Sequence, residues 1–417
     1  MDDFTIPKPV PIEVNKIEDE NNIEKEEEIK DEIEDKNEKK EVNEDEAEEF
    51  KVDPKEFEFN DQPEIKIETE EGLKNIDKDS EKIEIENIIK LKDSLNVEVV
   101  LEKLKKTAFT KLELLSLNNL GIDSLDFLNN ECFKTLIVLE IQQAKLTSLD
   151  KLNEAPLAEL KVLDLSQNSI SSITSLTQCR FKNLEILNLA ENKNINEVKS
   201  IVDAGFKSLR KLDLSSNVID DIKYLGNNNS LSNLESLYLN SNKISDISIL
   251  SLTTFKKLKD LQLSDNKIVN IDVFSEKDRF KELEELHLCG NKINSIKPLS
   301  ESQCQNLKIL KLSKNKISDI SSLTGASFKY LQILDLFDNE IENIEDVFNQ
   351  TPFNDSIQEL DLSYNHLHSI NVLIDNKKFG KLKDLKIEGN SNLDYKDKNI
   401  EKLFNNYKIE YTFDPIF

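Results

Sequence analysis

The sequence is poor in the residues that build catalytic loops and phosphate-binding turns. Its 417 residues include eight glycines, three histidines, one methionine and no tryptophan. Neither GxxxxGK[ST] nor GxGxxG occurs, and so few glycines leave little backbone for a phosphate cradle. No nucleophile stands in a recognisable pattern with a general base. These absences predict that the protein is not an enzyme and binds no cofactor.

Long apolar runs and an export signal are also missing. The start, MDDFTIPKPVPIEV, has no basic n-region and no apolar core, so it does not predict a secretory signal. No run of about 18 apolar residues occurs that could span a bilayer. The four cysteines, which form no CxxC pair, are Cys132, Cys179, Cys289 and Cys304. This pattern is typical of buried or half-buried free thiols in a reducing compartment, and it predicts a cytoplasmic protein.

Acidic charge is abundant and unevenly distributed. The formal net charge is −27. Residues 1–100 hold 36 Asp and Glu against 15 Lys and Arg, whereas the remaining chain holds 46 against 40. An acidic protein repels phosphate backbones and anionic lipid surfaces at long range. We therefore expect neither nucleic acid nor a membrane as the main partner.

Residues 1–82 form an acidic region that we predict to be disordered. The stretch EKEEEIKDEIEDKNEKKEVNEDEAEEF alternates acids and lysines with few large apolar residues. Such a segment cannot bury enough apolar area to offset its ordering entropy. Two interpretations remain open: a solvating tail, or a short motif that docks a partner. The candidate motif is FEFND at Phe57–Asp61, which interrupts the polar run.

A repeat dominates residues 109–393. Its template is LxxLxLxxNxI, as in LDLSQNSI from Leu163 and LDLFDNEI from Leu334. The asparagines recur every 24 to 26 residues, at Asn168, Asn192, Asn217, Asn242, Asn266, Asn291, Asn315, Asn339, Asn365 and Asn390. Two earlier units keep the leucines and lack the amide, which makes twelve units. Because the end units of a solenoid expose core, we assign residues 83–108 and 394–417 to an N-terminal and a C-terminal cap.

In these units the chain resembles the leucine-rich repeat family. The resemblance implies an α/β repeat solenoid, a horseshoe with a concave parallel β-sheet. The paired leucines alternate at a period of two and point to one face of a strand. The Asn amide is suited to bond backbone groups where the chain leaves the strand, as a ladder between units. A second buried stack is predicted for Phe109, Phe133, Phe181, Phe206, Phe255, Phe280, Phe328 and Phe379. Leu157, Leu231 and Cys304 replace it in three units, and Phe353 is one place out of register.

The concave face is the predicted partner-binding surface. The residue between the paired leucines, and the residue after the second leucine, project away from the core. Phe337 stands where most units have a small polar residue, so it either packs on its neighbours or marks the centre of a binding surface. The predicted contact residues are Phe337, Tyr238, Tyr364, His287, Lys311, Asp335 and Asp361.

One pair of possible metal ligands occurs on this face. His287 and Cys289 are two residues apart on one predicted strand and face the same way. Two ligands without a nearby third do not make a metal site. The sequence therefore predicts no metal.

Two function hypotheses follow from the resemblance. The first is a non-enzymatic protein–protein interaction scaffold, monomeric on its own, that holds a partner protein on the concave sheet. The second rests on the isoleucine-rich repeats NKISDI, NKINSI and NEIENI. They are similar to repeats of the regulatory subunit of type-1 serine/threonine phosphatase and of axonemal dynein-associated proteins. That similarity implies a regulatory or targeting subunit of a phosphatase, or a cytoskeletal adaptor.

Overall fold

One parallel sheet organises the chain. The structure is a computed structural model that describes residues 64–67, 88–91, 96–106, 112–226, 229–374, 378–395 and 400. Within these ranges fourteen strands pair in sequence order. The FEFND motif, Phe109 and most of the predicted C-terminal cap lie outside the described residues. None of the helices in the described ranges combines the length and the hydropathy that crossing a bilayer requires.

Each predicted repeat supplies one short strand. Two strands precede the repeats, β1 (Glu64–Ile67) and β2 (Ile88–Leu91). The twelve repeat strands are β3 (Leu114–Ser116), β4 (Val138–Glu140), β5 (Val162–Asp164), β6 (Ile186–Asn188), β7 (Lys211–Asp213), β8 (Ser236–Tyr238), β9 (Asp260–Gln262), β10 (Glu285–His287), β11 (Ile309–Lys311), β12 (Ile333–Asp335), β13 (Glu359–Asp361) and β14 (Asp384–Lys386). Equivalent residues face each other in register, so Leu310 pairs with Leu334 and Leu334 with Leu360. The predicted α/β repeat solenoid is confirmed.

The segments that return from one strand to the next are mostly short 3₁₀ turns. Four α-helices occur in the described ranges: α1 (Val97–Lys106), α2 (Lys199–Ala204), α3 (Lys297–Ser300) and α4 (Glu345–Phe348). The 3₁₀ helices are Asp126–Leu128, Glu131–Phe133, Thr174–Gln178, Lys223–Leu225, Ser248–Leu252, Asp272–Ser275, Ser321–Gly325 and Asn371–Ile374. Units of about two dozen residues leave room for little more than a helical turn.

The core lies between the sheet and these return segments. The described members of the predicted phenylalanine stack are at most 6% exposed, and the out-of-register Phe353 is fully buried. Three further rings, Phe127, Phe274 and Phe348, are buried beside them. Ring centroids of Phe181 and Phe206 lie 6.3 Å apart, and those of Phe274 and Phe280 lie 5.2 Å apart. The aromatic stack is therefore denser than the sequence predicted.

The asparagine ladder forms as predicted, with one interruption. In a regular rung, Asn339 donates from Nδ2 to the carbonyls of Leu312 (3.0 Å) and Leu336 (3.1 Å), and its Oδ1 accepts from the Ile317 N–H (3.1 Å). Asn217 likewise donates to the carbonyls of Leu189 and Leu214, and also to that of Ser215, but its buried Oδ1 has no hydrogen-bond partner. In the unit before it, the core isoleucine, Ile195, lies three residues after the asparagine rather than two. The Ile195 carbonyl still accepts from the Val218 N–H, as the equivalent carbonyl does in regular units, so only the bond to the Asn217 oxygen is lost.

The N-terminal end of the sheet is extended by two strands. β2 pairs with β3, and β1 pairs with β2. In α1 the Asn96 side chain caps the N-terminus by accepting from the N–H groups of Glu98 and Val99, and Val100 and Leu104 are buried. β1 lies inside residues 1–82, which the sequence predicts to be disordered; at these four residues parallel pairing with β2 bonds backbone groups along one side of the strand. The domain boundaries otherwise remain predictions.

Candidate functional site

We call the side of the sheet opposite the leucine core the open face. It carries three rows of side chains: the residue before the strand leucine, the residue between the two leucines, and the residue after the second leucine. The sequence predicted that the middle row projects away from the core. Several residues of this row are nevertheless buried, with Asp164 at 0%, Asn188 at 3% and Asp213 at 4% exposure.

Mutual hydrogen bonds explain this burial. The Asp164 carboxylate accepts from the Ser166 N–H (3.0 Å) and hydroxyl (2.7 Å), from Gln142 Nε2 (2.7 Å) and from Asn188 Nδ2 (2.9 Å). Burial raises the pKa of Asp164, against the effect of these hydrogen bonds, which lower it. The part of the open face around β5 and β6 is thus a satisfied polar network rather than a set of free contact residues.

An aromatic pair lies farther along the same face. The ring centroids of Phe337 and Tyr364 are 5.2 Å apart at an interplanar angle of 61°. Phe337 is half-buried, Tyr364 is 54% exposed, and the Lys314 ammonium lies 5.9 Å from the Phe337 centroid. Edge-to-face rings and a cation within about 6 Å of a ring are both favourable contacts. Phe337 therefore packs on a neighbour, as one interpretation required, yet that neighbour is itself exposed.

Tyr364 occupies a strained backbone position. Its φ is 51°, in the left-handed region, and the equivalent positions of other units hold Gln167, Ser241, Asp265, Gly290 and Gly389, among others. A bulky side chain there costs roughly 1–2 kcal/mol relative to glycine. The Tyr364 ring lies over Gly389, where an added Cβ would stand 2.8 Å from the ring atoms. A strained, exposed tyrosine on a glycine platform is a candidate functional residue.

A shallow cleft of about 420 Å³ adjoins Tyr364. Its polar wall includes Lys316, Glu340, His366 and Ser391. The Tyr364 ring and the backbone of Gly389 form the opposite edge. The cleft therefore offers mixed charge beside an exposed ring, an arrangement suited to a polypeptide segment rather than to a polyanion.

Three further predicted residues lie near the aromatic pair. Asp335 Oδ1 accepts from the Phe337 N–H (2.9 Å), and Asp361 Oδ1 accepts from the Ser363 N–H (2.9 Å). Burial raises the pKa of Asp361 to about 6. Lys311 pairs in register with Asp335 on the adjacent strand. The structure thus brings Lys311, Asp335, Phe337, Asp361 and Tyr364 together on β11 to β13 and the turns that follow β12 and β13.

Tyr238 and His287, predicted in the same field, lie elsewhere. Tyr238 is on β8, four strands from β12, which corresponds to about 19 Å at the usual strand spacing. It is half-buried, and its hydroxyl hydrogen-bonds to the Asp260 carboxyl, so it is not an exposed anchor beside Phe337. His287, on β10, is 8% exposed. The predicted single surface therefore separates into two clusters.

The sequence interpretation missed two acidic residues beside His287. Asp260 and Glu285 stand in the first row of the open face and pair in register across β9 and β10. One possible metal-ligand atom from each of Asp260, Glu285 and His287 lies within 4.8 Å of the others. The period-two alternation, continued one step before the strand leucine, would have placed both acids on this face. Cys289, which the sequence placed on the same face as His287, has its Sγ 4.0 Å from Asp335 Oδ2.

Comparisons with known proteins agree with this architecture. A family model described as leucine rich repeat matches residues 158–219 and 281–341, and a model described as leucine rich repeats in two copies matches residues 207–252 and 232–276. A search of curated protein sequences gave no match.

Solved structures share the fold at low sequence identity. An internalin (inlF) from Listeria monocytogenes is 22% identical with a TM-score of 0.58, over 77% of this chain and 93% of its own. The functional domain of InlJ from the same organism is 21% identical with a TM-score of 0.51, over 70% and 56%. The plant peptide hormone receptor RGFR1 is 18% identical with a TM-score of 0.50, over 73% and 53%. From its repeats, its sheet and these matches, the chain belongs to the leucine-rich repeat family.

Proposed function

We propose that this protein is a non-enzymatic interaction scaffold that binds a partner protein on the open face of its sheet, centred on Phe337 and Tyr364. Leucine-rich repeat domains generally act as protein-binding modules, and RGFR1, which has this fold, was solved in complex with RGF2. The observation that carries the proposal is the aromatic pair, with an exposed ring at a position that costs backbone energy. Interfaces concentrate their binding energy in such aromatic residues.

The surroundings of the pair favour a polypeptide ligand. Lys314 and Lys316 lie close to Asp338 and Glu340, so the surface carries both signs of charge at short range. A polyanion would meet carboxylates here, whereas a protein loop can match mixed charges and place an apolar side chain against Tyr364. We place the interaction in the cytoplasm, as a monomeric scaffold. The free state of all four cysteines supports a reducing compartment.

Quantitative affinity purification from intracellular extract tests this proposal. The full chain serves as bait in parallel with Phe337→Ala and Tyr364→Ala. We expect the specific partner to be retained by wild type and its affinity to fall about 30-fold in each variant, the effect of losing a contact of roughly 2 kcal/mol.

A matched control is available in the same chain. Tyr330 is 59% exposed, lies in the segment that leads into β12 and belongs to none of the open-face rows. Tyr330→Ala removes a comparable exposed ring and should retain the partner at wild-type level. If Phe337→Ala and Tyr364→Ala fold normally and bind the partner as wild type does, the proposal is wrong.

The narrower alternative is a regulatory or targeting subunit of a protein phosphatase, or a cytoskeletal adaptor. Its support remains the isoleucine-rich repeats, since the matches above concern the leucine-rich repeat fold. The same purification separates the hypotheses. A catalytic phosphatase subunit recovered in equal amount with the bait supports regulation, whereas tubulin, actin or vesicle components support a scaffold.

A further inference from the structure

A second cluster on the open face, separate from the aromatic pair, is formed by Asp260, Glu285 and His287. His287 and Glu285 are two residues apart on β10, and Asp260 stands beside Glu285 on β9. All three side chains therefore project to the same face at neighbouring positions. Their possible ligand atoms lie within 4.8 Å of one another.

Two polar atoms of this cluster are buried without partners. His287 is more than nine-tenths buried, and its Nε2 atom makes no hydrogen bond. The nearest carboxylate oxygen, Glu285 Oε2, is 3.6 Å away, which is too long for a hydrogen bond. Asp260 Oδ1 is likewise buried and unpartnered. Buried polar atoms without partners are costly, and two of them on three neighbouring side chains require an explanation.

We propose that Asp260, Glu285 and His287 bind one divalent transition-metal ion of the zinc class. Such an ion would satisfy His287 Nε2 and Asp260 Oδ1 together, and Glu285 would supply the third ligand. Ligand atoms on one tetrahedral zinc ion lie about 3.3 Å apart, so the cluster contracts modestly on binding. Glu285 is suited to this movement because its side chain is 32% exposed.

The donor set determines the class of metal. Imidazole nitrogen favours zinc, copper, iron or nickel over magnesium and calcium, which prefer all-oxygen sites. Three protein ligands leave a fourth position on the open face, and that position is available to water or to a carboxylate of a bound protein.

Neighbouring side chains hold one ligand in place. Gln262 Nε2 lies 3.4 Å from Asp260 Oδ2, and the Tyr238 hydroxyl also hydrogen-bonds to this carboxyl. Oδ1 has no hydrogen-bond partner, so it is free to bind a metal while these contacts orient the carboxyl group. Lys311, in register with His287, adds one positive charge nearby and limits the affinity.

Zinc titration of the full chain tests the proposal. The protein is stripped with a chelator, dialysed, and titrated with zinc chloride in competition with a chromogenic chelator. We expect one high-affinity equivalent in wild type, and an affinity at least tenfold lower, as an order of magnitude, in His287→Gln and in Asp260→Asn. Cobalt in place of zinc should give the visible absorption of a tetrahedral site, and both variants should lose it.

Two control variants remove other potential ligands. His368→Ala deletes an exposed imidazole, and Cys289→Ser deletes the thiol once paired with His287 in the sequence interpretation. Both should bind zinc as wild type does. If far-UV circular dichroism shows that His287→Gln does not fold, the zinc affinities of Asp260→Asn and Glu285→Gln test the proposal. The proposal is overturned if wild type takes up no equivalent of zinc, if calcium or magnesium binds more tightly, or if the folded variants keep full affinity.

Discussion

The residue before each ladder asparagine has a positive φ, and its side chain lies at the edge of the open face. Most units place a small or polar residue there, because the positive φ disfavours bulky side chains. Tyr364 is the exception, and its ring is accommodated by the absence of a side chain at Gly389 in the next unit. Tyr364 and Gly389, at equivalent positions of adjacent units, therefore pack against each other.

This pairing leads to a prediction for Gly389→Ala. The added Cβ would stand 2.8 Å from the Tyr364 ring, and Gly389 has a φ of 70°, so both the ring position and the backbone oppose the substitution. We expect a loss of about 1–2 kcal/mol in the free energy of unfolding, measured by urea denaturation.

A double-mutant cycle separates the two causes. In a Tyr364→Ala background, Gly389→Ala should cost less, because only the backbone strain remains. Gly380→Ala is the control, since an added Cβ there meets nothing within 4 Å. An equal cost in both backgrounds would show that Tyr364 does not rest on Gly389.

At the scale of elements, the asparagine ladder links each strand end to the preceding unit. Every rung from Asn168 to Asn390 donates to backbone carbonyls across the unit boundary, and all the acceptor oxygens except that of Asn217 also take a backbone N–H from the previous unit. The ladder therefore satisfies the groups that three-residue strands leave unpaired at their ends.

The interrupted rung permits a comparison within one chain. Asn339 and Asn217 are 5% and 6% exposed, and both donate to three carbonyls at 3.0–3.2 Å. Only Asn339 also accepts a backbone N–H, so Asn339→Ala leaves one more buried group unsatisfied. We expect it to cost about 1–3 kcal/mol more than Asn217→Ala in chemical denaturation followed by far-UV circular dichroism. Equal costs would contradict the role of the accepted hydrogen bond.

At the scale of the whole molecule, several carboxyl groups on the open face are buried. Burial raises the pKa values of Asp213, Asp260 and Asp361 to about 6 from an ordinary 3.8. Neighbouring carboxylates raise them further: Asp164 acts on Asp213, Glu285 on Asp260 and Asp335 on Asp361. The folded chain therefore binds protons at these sites at a pH where the unfolded chain does not.

This linkage predicts how stability depends on pH. Between the unfolded and folded pKa values the folded state carries more protons, so the free energy of unfolding should rise as pH falls from 7 to 5. Carboxylates with lowered pKa values, such as Asp221, Asp246 and Asp319, oppose this trend only near and below their ordinary pKa of 3.8. Urea midpoints at pH 7 and pH 5 give the measurement. Asp213→Asn should reduce the increase in stability between pH 7 and pH 5, whereas Asp220→Asn, at an exposed position, should leave it unchanged. A urea midpoint that falls from pH 7 to pH 5 would contradict the raised pKa values.

The sequence by itself determined the repeat, its period and the two buried stacks. Leucines at a period of two and asparagines at a nearly constant interval leave one way to bury the apolar side chains and bond the turn backbone. Phe337 and Tyr364 were also visible in the sequence, because each departs from what its position holds in other units. In a repeat protein, a residue that differs from its equivalents in other units can be recognised from the sequence alone.

Only the tertiary structure decided which open-face residues are accessible and which side chains meet. Asp164 is buried through hydrogen bonds with residues 22 and 24 positions away. Tyr238 hydrogen-bonds to Asp260 and does not contact Phe337, four strands away. The Asp260, Glu285 and His287 cluster depends on the register of β9 against β10 and on which lone pairs remain unbonded. The alternation of a strand fixes the face on which a side chain lies, but its partners on that face come from other units and depend on packing across the sheet.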